Sequence, residues 1–179
     1  NDAIQTVIAM AGQFGSDELK MPMEQLTLAI LMVQFVAFAG AMAFNWLSAR
    51  VSAKRAVLAA LVIWTGVLAY IYLAVSTPAE FFIMAGLVGT VMGGTQALSR
   101  SLFSQLIPPG KEAEYFSLYE ISDKGTSWLG PLVFGLALQW TGSYRLAALS
   151  LAVFFVIGFL LLSRVNIQAA AAEAHAPQS

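Results

Sequence analysis

Cysteine is absent from this chain, and histidine occurs once, as His175 in an alanine-rich tail. Without thiols there can be no disulfide and no thiolate metal site. With one histidine, almost every nucleophile–base pair is excluded as well, and a lone tail histidine reads as a solvated residue rather than a ligand. HExxH, GxSxG and P-loop motifs are missing too, so the residues offer no catalytic machinery, no metal site and no cofactor site. Charge is scarce, at 11% of residues, where a soluble domain carries about a quarter. The net charge is −1, without the basic excess that nucleic-acid binding requires. The N-terminus lacks a basic segment followed by a short apolar core, so it does not read as a signal peptide. Starting at Asn1, it reads as a fragment that begins inside an apolar segment.

What the chain has is apolar length. Hydrophobic residues make up 59% and the mean hydropathy is +0.75, which places it in the membrane class. Its uncharged stretches are Ala3–Ser16, Gln25–Ala49, Ala56–Ala79, Phe81–Ser99, Gly125–Tyr144 and Leu146–Ser163. A spanning helix needs about 20 apolar residues. The last five stretches fit spans, and the first reads as the end of a helix whose start is missing. The period-2 alternation of a membrane barrel is absent. The expected fold is therefore an all-α membrane protein, a six-helix transmembrane bundle over residues 1–165, with a disordered low-complexity tail at 166–179.

Basic residues set the orientation. Arg50, Lys54, Arg55, Arg100, Lys111 and Arg164 collect on one side, and Lys20 and Arg145 on the other. The positive-inside rule puts the first side, and the tail, in the cytoplasm. Trp46, Trp140, Tyr70, Tyr72 and Tyr144 fall near span ends, where lipid-facing aromatic belts suffice to explain them. The basic turn between the second and third spans is expected at 48–55, and the longest inside loop at 100–116.

Three polar sets interrupt the apolar pattern. Gly86, Gly89, Gly93 and Ala97 share one helix face, and the Gly89–Gly93 pair permits close helix approach. Gln96 and Arg100 continue that face toward the cytoplasm. Arg100 has two readings, snorkelling to the interface or pairing with a carboxylate or a substrate anion. Glu120, Asp123, Lys124 and Ser127 stand at i, i+3, i+4 and i+7 before an uncharged run. Acids suit a helix N-terminus, but Lys124 has the wrong sign for it. Glu120 is placed to neutralise Lys124 four residues on. The other reading is a set of gating charges, since a charge at the bilayer centre costs about 2.5–3.5 kcal/mol and marks function when kept. Gly130, Pro131 and Gly135 should then kink or loosen this helix, with Gly130 and Pro131 also counted among the packing residues. Asp2 and Gln5 form the third set. If the first helix is truncated, Asp2 lies near mid-membrane, where burial raises a carboxylate's pKa and suits it to coupling. If Asn1 is a true terminus, Asp2 is a solvated end residue.

The segment "GGTQALSRSLFSQLIPPGKEAEYFSLYEISDKGTSWLGP" and the opening "NDAIQTV" resemble the autophagy-related vacuolar effluxer family and its bacterial relatives, within the major facilitator superfamily. The resemblance covers nearly the whole chain. It implies helices seven to twelve of a twelve-helix transporter, the first of them truncated here, with Gly93 to Arg100 in the tenth and Ser117 to Pro131 in the eleventh. It further implies a missing N-terminal six-helix half as partner, a small-molecule substrate and alternating access. Fungal relatives are associated with export of amino acids from the vacuole. The superfamily's loop motif GxLxDRxGxKR appears as "NWLSARVSAKR". Arg50, Lys54 and Arg55 are kept, while Asn45, Ala49 and Ser52 replace glycine, aspartate and glycine. Losing the acid at Ala49 removes the partner that a charge relay at this loop would need.

Two functions from different classes follow. The first is a proton- or ion-coupled transporter half in a bacterial inner membrane, with Asp2, Gln5, Gln96 and Arg100 along its pathway and Glu120, Asp123 and Lys124 gating it. The second is a non-transporting truncated product or scaffold subunit whose intramembrane charges only hold helices together.

Overall fold

A computed structural model describes residues 2–174, apart from the side chains of Asp2, Gln5, Gln168, Ala170, Glu173 and Ala174. The roles expected of the Asp2, Gln5 and His175 side chains therefore lie outside the described residues. The regular elements among those residues are all helical, with no strand. The helices are α1 (Asp2–Gln13), α2 (Met23–Val51), α3 (Ala53–Leu73), α4 (Pro78–Ser104), α5 (Glu112–Thr126), α6 (Leu129–Thr141), α7 (Tyr144–Ser150), α8 (Ala152–Arg164) and α9 (Ile167–Ala174). A π-helical turn, Phe14–Glu18, extends α1. Among the described residues, α2, α3, α4 and the α7–α8 pair are long and apolar enough to cross a membrane.

Helix boundaries follow local chemistry. Thr77 and Glu80 start α4 as a reciprocal capping box, with Pro78 in the first turn, where its missing N–H costs nothing. The fifth apolar stretch is broken rather than merely bent. Pro131 cannot donate to the residue four before it and its ring crowds that carbonyl. That residue is Ser127, and the helix is interrupted at Ser127–Trp128. Pro131 itself sits in the first turn of α6, and its side chain is exposed while Gly130 is buried. The break thus falls one turn upstream of the proline.

The basic turn is shorter than the charges suggest. Residues 48–55 do not form a loop; α2 and α3 are separated by Ser52 alone. Charge marks where the apolar run ends, not where the helix ends. Ser52 has φ 115° and ψ 150°, a region that only glycine enters without strain. It is the position where the loop motif carries glycine. The Ser52 hydroxyl accepts from the Arg55 backbone N–H at 3.4 Å, which offsets part of the strain. Ser52→Gly is expected to raise stability by about 1–2 kcal/mol, since relieved strain is ~1–3 kcal/mol and the lost cap only a few tenths. A thermal unfolding series of the full-length protein in detergent checks this, and a lowered midpoint would show that the cap dominates.

The core sits among α1, α2, α3, α4, α7 and α8, with Phe134 added from α6. Trp64 is fully buried at its centre, stacked on Phe155 with centroids 5.5 Å apart. Its Nε1–H donates to the Thr95 hydroxyl at 3.3 Å, and that hydroxyl donates to the Val91 carbonyl at 2.6 Å. A buried indole N–H without a partner would cost about 1–3 kcal/mol. Helix α2 packs along α4, and the two backbones touch. A Cβ on Gly93 would overlap the Ala37 carbonyl, and one on Gly40 the Thr90 carbonyl, while at Gly89 it would lie 3.0 Å from the Val33 carbonyl. The outward face of α2, with Leu28, Phe35, Phe38 and Met42 exposed, is of the kind that lipid covers. Helix α5 stands apart, with no buried residue.

Candidate functional site

Helix α4 carries both halves of the site. Its middle turns, with α1 and α2, line an apolar groove of about 460 Å³. Ile8 and Gly12 come from α1, Ile30 and Val33 from α2, and Met84 and Val88 from α4. Among the described residues, the polar side chains lining it are Gln34 and Gln96. Gln96 was legible in the sequence. Gln34 was missed, although a glutamine inside the long uncharged run Gln25–Ala49 was a usable signal.

One turn further along, α4 meets α5. Arg100 Nη2 stands 3.2 Å from Glu120 Oε1. Beneath this pair, Phe103 contacts Phe116 and Tyr119, with centroids 5.8 and 4.9 Å apart. Above it, Ser99, Tyr119, Ser122, Asp123 and Thr126 enclose a polar cavity of about 230 Å³. Arg100 therefore takes a carboxylate partner, the second of its two readings. Glu120 is engaged across helices, not with Lys124, and the Lys124 side chain is exposed with no ion pair among the described residues. The i,i+4 pairing expected from the sequence gives way because such a surface pair is worth only ~0.3–0.5 kcal/mol. A guanidinium on the facing helix offers an equal charge and a second anchor. Asp123 lines the cavity opposite Ser99, so Gln96, Arg100, Glu120 and Asp123 fall along one seam, and Lys124 lies off it.

The far end carries a second polar cluster, which the sequence did not reveal. Arg145 reaches Glu18 at 3.4 Å, the Val75 carbonyl at 2.6 Å and the Ser76 hydroxyl at 3.2 Å. Beside it the Tyr144 hydroxyl donates to Asp17 at 2.7 Å. That bond, then one from Ser16, holds the Asp17 carboxyl below the usual carboxylate range. Tyr144 is thus bonded to protein rather than merely facing lipid. The cluster ties the end of α1 and the α3–α4 turn to the start of α7. Its partners are 127 residues apart in the chain, so no local pattern could announce them.

A family model described as vacuole effluxer Atg22-like matches residues 1–175. An uncharacterized MFS-type transporter, YxiO, of Bacillus subtilis is 36% identical over 92% of this chain and 38% of its own length. Autophagy-related protein 22 of Eremothecium gossypii is 34% identical over 97% of this chain and 36% of its own. The counterpart in Kluyveromyces lactis is 32% identical, over 97% and 37%. The chain thus spans less than two fifths of these relatives. No solved structure matches it.

Proposed function

The chain belongs to the vacuole effluxer Atg22-like family, and from that premise we propose that it is the C-terminal half of a secondary transporter. It is an integral membrane protein. In this reading it moves a small solute, with amino acids the first class to try, by rocking against an N-terminal half. The basic end and the tail lie in the cytoplasm, and the membrane is a bacterial inner membrane. The observation that carries the reading is the position of α5. It is bound to the bundle chiefly at the Arg100–Glu120 pair and the Phe103 ring cluster, it buries no residue, and it borders a polar cavity one turn from the groove. A helix so attached has a face left for the other half and a contact that can open.

Coupling falls to Asp2 in this reading. Asp2, Gln5 and Ala9 stand at i, i+3 and i+7, and Ala9 lines the groove, so helical register puts position 2 on the same face of α1. The test uses the full-length protein in proteoliposomes, with labelled amino acids and an imposed proton gradient. Gradient-driven uptake is expected, and Asp2→Asn is expected to abolish it while membrane insertion stays intact. Undiminished uptake in Asp2→Asn would remove the coupling role, and no uptake of any amino acid would remove the substrate class.

A further inference from the structure

We infer that the basic end of this half carries a binding site for the headgroup of an anionic phospholipid. Between the start of α3 and the end of α8 lies a cavity of about 720 Å³, lined by Ser52, Lys54, Arg55 and Leu58 on one side and Arg164 and Val165 on the other. Among the described residues, three of its lining side chains are cations and none is an acid. The ion pairs among the described residues lie elsewhere, at Arg100–Glu120 and Arg145–Glu18. The loop motif that would place an acid here has Ala49 instead, and among the described residues no acid pairs with these cations.

The cations divide their work. Lys54 Nζ donates to the Ser163 and Val165 carbonyls at 2.9 and 2.6 Å. It thereby caps the C-terminal end of α8 and fixes the cavity wall. Arg55 and Arg164 remain exposed at the rim with no side-chain partner among the described residues. Two guanidinium forks beside the N-terminus of a 21-residue helix suit a phosphate diester, which takes bidentate donors and favours a helix start.

The surroundings select a lipid over a soluble anion. The cavity lies where α2 ends, α3 begins and α8 ends, the level at which a membrane helix leaves the hydrocarbon. Basic pockets between helices at that level hold anionic headgroups. One turn on from the half-buried Leu58 stands the exposed Val62, and one turn back from Arg164 stand the exposed Leu160 and Leu161. A phosphate between the arginines would thus have apolar tracks on both sides for its acyl chains.

The test is native mass spectrometry of the full-length protein released from detergent, with phosphatidylglycerol or phosphatidylcholine of matched chains added. Phosphatidylglycerol is expected to bind at least about tenfold more tightly. Arg55→Gln with Arg164→Gln should erase the difference, and Arg55→Lys with Arg164→Lys should keep most of it. Millimolar inorganic phosphate should leave the bound lipid in place. Equal binding of the two lipids by the unaltered protein overturns the proposal without any variant, as does a folded double-glutamine protein that binds like the parent. Displacement of the lipid by inorganic phosphate would assign the cavity to a soluble anion and overturn the lipid reading.

Discussion

Arg100→Glu in the full-length protein is expected to slow the proposed solute uptake by about tenfold or more, a barrier change of ~1.4 kcal/mol, while barely moving the unfolding midpoint. The two effects separate because the pair is exposed in this half, 62% at Arg100 and 42% at Glu120. Exposed pairs contribute only ~0–1 kcal/mol to stability. In the proposed mechanism its charge sets whether α5 closes on α4. Glutamate at position 100 would face Glu120, where the native pair stands at 3.2 Å, with Asp123 one turn on, and repel the helix. The reversed double variant, Arg100→Glu with Glu120→Arg, should recover most of the rate. Recovery identifies the seam as a gate made by mutual attraction. Failure to recover, with the protein folded, would mean that Arg100 or Glu120 touches the solute. If neither single variant slows uptake, the charges are structural and the scaffold reading gains.

Gly93→Leu is expected to prevent folding, through the seam between α2 and α4. A Cβ at this position already overlaps the Ala37 backbone carbonyl, and backbone cannot rotate aside as a side chain does. The helices would have to part, at a cost of about 1–3 kcal/mol or more for each overpacked group, and the packing would open along their length. The same helix supplies its own controls. A Cβ at Gly86 would meet nothing nearer than the Met32 Cε at 4.0 Å, and one at Gly89 would stand 3.0 Å from the Val33 carbonyl. Alanine at position 86 should therefore be neutral or mildly stabilising, while alanine at 89 and then at 93 should lower stability in increasing order. Gly66→Ala, with open space around it, should gain about 0.5–1 kcal/mol from helix propensity. Equal melting of all four alanine variants in detergent would show that the backbones do not touch.

The glycine series shows how the sequence could be read and where it stopped. Gly89 and Gly93 announce a close approach by their spacing alone, but not against which helix. Gly40 answers that, and nothing in its own surroundings in the chain marked it. The seam residues behave alike. Gln96, Arg100, Glu120 and Asp123 stood out as polar groups at the margins of apolar runs. Their pairing did not, because Glu120 had a partner candidate four residues away and another 20 residues away.

The sequence by itself determined the helical membrane character, the sorting of basic residues to one end and a disturbance of the helix around Pro131, which the structure shows as a full break. Each of these rests on a local rule: a 20-residue apolar run satisfies its own backbone in lipid, and a proline acts on the carbonyl four residues back. Only the tertiary structure decided which charges meet, that Arg145 binds together segments distant in the chain, and that Arg55 and Arg164 have no acid partner among the described residues. Those outcomes depend on which helix lies beside which. In a bilayer that choice is made by packing and a few polar contacts, since lipid gives the apolar faces no preference of their own.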